Sequence, residues 1–226
     1  MLDSEVFPVG LVVAGRPCLV VGGGRVAARK TGALLRCGAA VTLVAPEAHV
    51  ALGLLTAAGD LPHRGPPALD VQLRPYRRGE AAGYRLVIAS TGVAEVDQAV
   101  WHDAEAAGVW INCADDPAHC SVVLPAVHRD GPVTVAVSTG GASPALASWV
   151  RTRVAACVGP HLGTLARLLD EARTAVHAGG RSTEAVDWRG VLDGPLPELV
   201  RRGHLDDARS LLHRAVAVVA PDAALG

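Results

Sequence analysis

Asp115, Asp116, His119 and Cys120 place two carboxylates, an imidazole and a thiol within six residues. They lie in the stretch Ile111-Asn-Cys-Ala-Asp-Asp-Pro-Ala-His-Cys-Ser121. A carboxylate in such a cluster serves as a general base when its surroundings tune its pKa. In an extended loop, Asp115 and Asp116 point to opposite sides, so only one of them faces a ligand. The same acids also suit an Asx turn, bonding their own backbone ahead of Pro117. A permanent metal site is not expected, because donors this close in sequence do not enclose an ion unaided.

A second group is Gly22-Gly23-Gly24-Arg25-Val26-Ala27. It follows a short β-branched run and opens a helical one, matching G-x-G-x-x-G/A. The first glycine makes a tight turn, the second lets backbone approach a pyrophosphate, and a small third residue allows close helix–strand packing. The helix start then offers free N–H groups and the positive end of a dipole to phosphates. Arg25 adds charge there, and Val26 sits in the same first turn. Thr91, beyond a later strand, joins the cofactor candidates. The bland alternative is a glycine-rich structural turn. NAD recognition usually wants an acid about 20 residues further on. The next strand ends in Val44-Ala45 without one, so Glu47 is the candidate ribose contact, with Pro46 beside the adenosine. Glu47 equally suits the first turn of a helix, where a carboxylate is stable. No arginine follows that strand to hold a 2′-phosphate, which favours NAD over NADP.

The third group, Ser138-Thr-Gly-Gly-Ala-Ser143-Pro144, joins a strand to a helix. Ser143 suits the N-cap and Pro144 the first turn. Glycines and hydroxyls at a helix start make an anion cradle suited to a carboxylate; a well-capped helix is the structural reading of the same residues.

These groups need elements to hold them. Strands are expected at 16–21, 40–44, 71–76, 85–90 and 109–112, with helices at 24–37, from Pro46 to about Ala58, and at 93–107; Leu61–Asp70 reads as a connection. Alternating strands and helices imply right-handed crossovers and a parallel, doubly wound sheet. In such sheets ligands bind beyond the carboxyl ends of the strands, where both Gly22–Gly24 and Asp115 fall. After about residue 117 the pattern changes. Runs at 121–127 and 133–137 flank a turn at 129–132 and suggest an antiparallel addition. Helices are then expected at 143–157, 160–177, 184–190, 195–202 and 205–217. The division is a nucleotide-binding domain at 1–117, a small α/β segment at 118–158 and a helical domain at 159–226.

Composition narrows the function classes. Hydrophobic residues make up 50% of the 226, enough for a sizeable core. The net charge of -1 offers no basic excess for a nucleic-acid backbone, and 3% aromatics argue against base-stacking platforms. The five cysteines show no CxxC spacing, which suits reduced thiols better than a disulfide framework. The acidic start and the lack of an apolar run near 20 residues predict a cytoplasmic, non-membrane protein.

The three groups, taken in chain order, resemble precorrin-2 dehydrogenase, the module of siroheme synthase that in many organisms also acts as sirohydrochlorin ferrochelatase. The matching text is Phe7-Pro-Val; Cys18 through Gly24 with Val26-Ala27 and Arg29-Lys30; Val41 through Glu47; Asn112 through Pro117; and Val135 through Pro144. The resemblance covers about residues 5–170 and implies a Rossmann-type domain. NAD+ would accept a hydride from precorrin-2, a tetrapyrrole bearing eight carboxylates, giving sirohydrochlorin. Bifunctional members then insert Fe2+ in the same cleft; Co2+ is the alternative metal. The family's essential aspartate falls at Asp115, as base in dehydrogenation and in removing pyrrole protons. His119 would be a second proton shuttle or a transient metal contact. Asn112, Ser138, Thr139, Gly140 and Ser143 would bind substrate, with Arg129, Arg151 and Arg153 as candidate cationic partners. Thr139 stands where some members carry a phosphoserine. The family forms intertwined homodimers through the middle segment. The competing reading is a non-catalytic NAD-binding regulatory module, which would not need Asp115.

Overall fold

The computed structural model describes residues 5–47 and 69–217. These fall into two compact units, one of residues 1–124 with 140–142, the other of residues 125–139 with 143–226.

The first unit holds β1 (Pro17–Val21), α1 (Arg25–Arg36), β2 (Ala40–Ala45), β3 (Leu69–Leu73), β4 (Leu86–Ala89), α2 (Ala94–Ala106) and β5 (Trp110–Cys113). The strands form one sheet in the order β3-β2-β1-β4-β5, with every neighbouring pair parallel. The chain runs outward from β1 to β3, returns to β4 on the other side of β1, and ends at β5. The reversal puts the switch point between β1 and β4, where an open α/β sheet forms its ligand crevice.

Residue alternation explains the layers. Cys18, Val20, Val41, Leu43, Leu86 and Ile88 face one side and pack with Ala27, Ala28, Leu34 and Leu35 of α1. Leu19, Val21, Val44, Val87, Ala89 and Ile111 face the other and pack with Val100 and Ala104 of α2. Both faces are covered over β1, β2 and β4, so these strands read as near-continuous apolar runs, whereas β3 at the sheet edge alternates. Gly38, at φ 76, ends α1 by donating its N–H to the Leu35 carbonyl.

The parallel, doubly wound expectation holds, with local corrections. The third strand begins at Leu69, paired with Val41, and stops at Leu73 instead of running from 71 to 76. Pro75 has no N–H to give a ladder, and Tyr76 instead donates its hydroxyl to Asp103 at 2.9 Å. The helix expected from Pro46 to Ala58, and most of the connection expected at Leu61–Asp70, lie outside the described residues. No strand forms at 121–125; the Ser121 and Val122 N–H groups both return to the Ile111 carbonyl at 2.9 Å.

The second unit contains β6 (Ala126–Asp130) and β7 (Val133–Val137), a separate two-stranded antiparallel sheet rather than an addition to the first. The ladder runs through Asp130, so the turn is Gly131-Pro132 alone. Gly131, at φ 54, supplies the left-handed backbone that a two-residue hairpin requires. The Asp130 carboxylate accepts from the Gly163 N–H at 3.0 Å.

Five helices follow: α3 (Pro144–Val158), α4 (Leu162–Ala178), α5 (Trp188–Asp193), α6 (Leu196–Arg201) and α7 (Leu205–Ala217). They match the expected positions, except that α5 starts later than 184 because Thr183–Ala185 is a separate single turn. Leu168, Ala172, Ala175 and Val176 of α4 pack with Leu196 and Val200 of α6 and with Ala208, Leu212 and Val216 of α7. The three- and four-residue spacing places each set on one helix face.

Candidate active site

A cleft of about 480 Å³ opens in the first unit at the carboxyl ends of β1, β4 and β5. Its walls come from three junctions: Gly24, Arg25 and Val26 after β1; Ser90, Thr91 and Gly92 after β4; and Ala114, Asp115, Asp116 and His119 after β5. Asp97 and Gln98 of α2 close it from one side.

The turn after β1 is built by removing side chains. Gly22 sits at φ 128 and donates its N–H to the Val44 carbonyl at 2.9 Å. A Cβ there would overlap the Ser90 carbonyl. A Cβ on Gly23 would overlap the Glu47 carbonyl. Gly24 differs: a Cβ there would meet no protein atom within 4 Å, and the residue borders the cleft while capping α1 without a side-chain bond. The open space over Gly24, at a helix start with unspent N–H groups, fits a dinucleotide pyrophosphate. Gly24, Arg25 and Val26 all line this cleft. Pro46 and Glu47 lie exposed just beyond β2, the Glu47 backbone against Gly23 and its side chain outside the cleft wall.

Thr91 lines the cleft with its donors already engaged. Its N–H and hydroxyl both go to Asp97 Oδ1, at 3.1 and 2.8 Å. No motif marks Asp97; its only sequence signal is an acid in the first turn of the helix that follows a hydroxyl-bearing strand exit.

Asp115 is the only non-glycine residue at positive φ (64°) among those described. Aspartate tolerates this region better than most residues, yet it remains sparsely populated and marks functional turns. The turn overrides the expectation that one acid must face away. Because the loop coils instead of extending, both Asp115 and Asp116 border the cleft. Asp116 does not close an Asx turn. Its Oδ2 lies 2.6 Å from His119 Nδ1.

Asn112 is turned inward. Its Oδ1 accepts from Lys30 Nζ at 2.6 Å and its Nδ2 donates to the Val122 carbonyl at 2.8 Å, leaving the residue 8% exposed. It braces α1 against β5 and does not line the cleft. Burial pulls the Lys30 ammonium below the usual lysine range, an effect opposed by Cys120 and Asp115 nearby. The Cys113 thiol is pushed up to about 12 by burial. Cys120 is also raised by burial, and its sulfur accepts from the Cys113 N–H at 3.2 Å. Both thiols are structural at ordinary pH. No set of three His, Cys, Asp or Glu side chains among the described residues is arranged to hold a metal.

The loop of Ser138, Thr139, Gly140 and Ser143 folds on itself. The Thr139 hydroxyl accepts from the Ser143 N–H and donates to the Ser143 carbonyl, both at 3.1 Å. The Ser143 hydroxyl caps α3 by accepting from the Leu146 N–H at 3.1 Å, as expected. Gly140 and Gly141, at φ 60 and 81, make the bend. Arg151 and Arg153 lie on α3, where Arg153 stacks over the Trp149 ring at 5.2 Å.

Residues 9–126 match a family model described as "Putative NAD(P)-binding". The chain belongs to this NAD(P)-binding family. Residues 130–156 match a second model, the central segment of a sirohaem biosynthesis protein. The chain is 38% identical over 218 residues to the siroheme synthase of Methylococcus capsulatus, spanning 96% of this chain and 44% of that protein. It is 37% identical over 225 residues to the siroheme synthase of Chromobacterium violaceum, spanning 97% and 46%. The chain therefore covers less than half the length of these relatives. A solved structure, SirC, a precorrin-2 dehydrogenase, shares the fold with a TM-score of 0.70 at 23% identity, covering 93% of this chain and 98% of that one. No helix among the described residues is long and apolar enough to cross a membrane.

Proposed function

We propose that this chain is an NAD-dependent dehydrogenase that oxidises precorrin-2 to sirohydrochlorin. The observation that carries the reading is Asp115, held at positive φ on the wall of the cleft that also contains the pyrophosphate-binding turn. A dinucleotide-binding domain alone has no need of that strained acid, which weighs against a purely regulatory module.

When bound, oxidised NAD supplies the hydride acceptor. Gly24 and the first N–H groups of α1 hold its pyrophosphate, and Arg25 adds positive charge. Asp115 takes the proton that the substrate loses, and His119 assists its transfer. The 138–143 loop, through Ser138, Thr139, Gly140 and Ser143, meets substrate carboxylates. Asn112 acts indirectly, holding the exit of β5 through Lys30 and Val122. The working unit is a homodimer assembled through the middle segment, in the cytoplasm, and Fe2+ insertion into sirohydrochlorin is the second activity of the same cleft.

Anaerobic incubation of the purified chain with precorrin-2 and NAD+ tests the reading, followed by sirohydrochlorin absorbance. Product formation that depends on NAD+ supports it; NAD+ binding without product rejects it. Adding Fe2+ to sirohydrochlorin reads the chelation step, and sedimentation reads the dimer.

A further inference from the structure

We propose that Asp116 is a positioning residue that orients the His119 ring, and that the oriented ring carries away the proton Asp115 receives. This deepens the dehydrogenase reading and rests on it. Asp116 precedes the single 3₁₀ turn Pro117–His119 and stands three residues before the histidine. The turn closes with the His119 N–H donating to the Asp116 carbonyl at 3.3 Å. The Asp116 Oδ2 to His119 Nδ1 distance of 2.6 Å is therefore set by the local backbone, which Pro117 stiffens. A second contact fixes the ring plane. Trp101 of α2 meets His119 edge to face, with centroids 4.4 Å apart and planes at 71°.

The consequence is a defined tautomer. A carboxylate against Nδ1 holds the proton there in the neutral ring, so Nε2 keeps its lone pair. Nε2 makes no hydrogen bond among the described residues, and His119 lines the same cleft as Asp115. The pair also reaches water, since the His119 and Asp116 side chains are 30% and 45% exposed. The oxidation removes one hydride and one proton from the substrate. The hydride goes to NAD+. The proton passes to the Asp115 carboxylate, then to His119 Nε2, then to water, and both groups return to their starting state. Asp116 balances the imidazolium formed on the way.

Two measurements on the full chain test this. Long-range 1H–15N NMR, with His119 assigned by the signals lost in His119→Gln, reads the tautomer. The expected result is the Nδ1–H form in wild type and a shift toward Nε2–H in Asp116→Ala. In turnover, His119→Ala is expected to lower kcat by about 10²-fold, with rate restored by added imidazole. Asp116→Ala is expected to lower kcat about tenfold at an unchanged KM for NAD+, and Asp116→Glu to recover part of the loss. An unchanged tautomer in Asp116→Ala overturns the positioning role. Normal wild-type turnover with an unimpaired His119→Ala overturns the shuttle alone. A wild-type chain that binds NAD+ yet forms no sirohydrochlorin overturns the dehydrogenase reading, and the shuttle with it.

Discussion

The turns after β1 and after β5 border one cleft and solve opposite problems. At Gly22–Gly24 the backbone comes so close to its neighbours that side chains are excluded: Ser90 and Glu47 fill the space where two of the Cβ atoms would be. At Asp115 the chain adopts a glycine-like φ of 64° and keeps its side chain. The first turn, as proposed, would recognise a ligand with backbone N–H groups and gain from having nothing else there. The second presents a carboxylate and accepts strain to aim it. Glycine marks where backbone must approach; a non-glycine residue at positive φ marks where a side chain is wanted in spite of the cost.

Substitutions can break this contrast. The largest effect is expected from Asp115→Asn, which keeps the shape and the tolerance of positive φ but removes the base. The dehydrogenase kcat should fall by about 10²- to 10⁴-fold, and NAD+ affinity, measured by calorimetry, should stay the same. Gly23→Ala comes next. Its Cβ would strike the Glu47 carbonyl, which is backbone and must shift as a unit. A stability loss of about 3 kcal/mol in urea unfolding is expected, together with loss of NAD+ binding. Gly24→Ala separates packing from recognition: its Cβ meets no protein atom but enters the cleft. NAD+ affinity should fall roughly tenfold while the urea midpoint hardly moves, because the clash is with ligand alone. The smallest effect compares two replacements of Asp115. Asp115→Gly should be more stable than Asp115→Ala by about 1 kcal/mol, because only glycine adopts positive φ without penalty. Equal stabilities would remove the strain argument.

Much of the first unit was legible because its signals are local. The apolar runs of β1, β2 and β4, the glycine turn and Gly38 as the stop of α1 each follow from a few neighbouring residues, as does the Ser143 cap in the second unit. The third strand runs from Leu69 to Leu73 rather than from 71 to 76, because its register depends on Val41 in a distant strand and only pairing decides it. The hairpin turn is shorter than its residue types suggest: Asp130 suits a turn, yet it pairs with Val133 in the ladder and its carboxylate accepts from the Gly163 N–H. Asn112 reads as a ligand contact, but Lys30, the only lysine in the chain, takes its oxygen. Asp97 and Trp101 carried no motif, and their importance comes from what the folded chain sets beside them.

The sequence by itself determined the alternation of strands and helices, the glycine turn after β1 and the presence of an acid at the exit of β5. Periodicity and glycine placement act over a few residues and need no distant partner. Only the tertiary structure decided that Asp115 and Asp116 share one wall and that Trp101 sets the plane of the His119 ring. Those outcomes depend on the φ of one aspartate and on a helix more than ten residues away in the chain, and no local spacing encodes either.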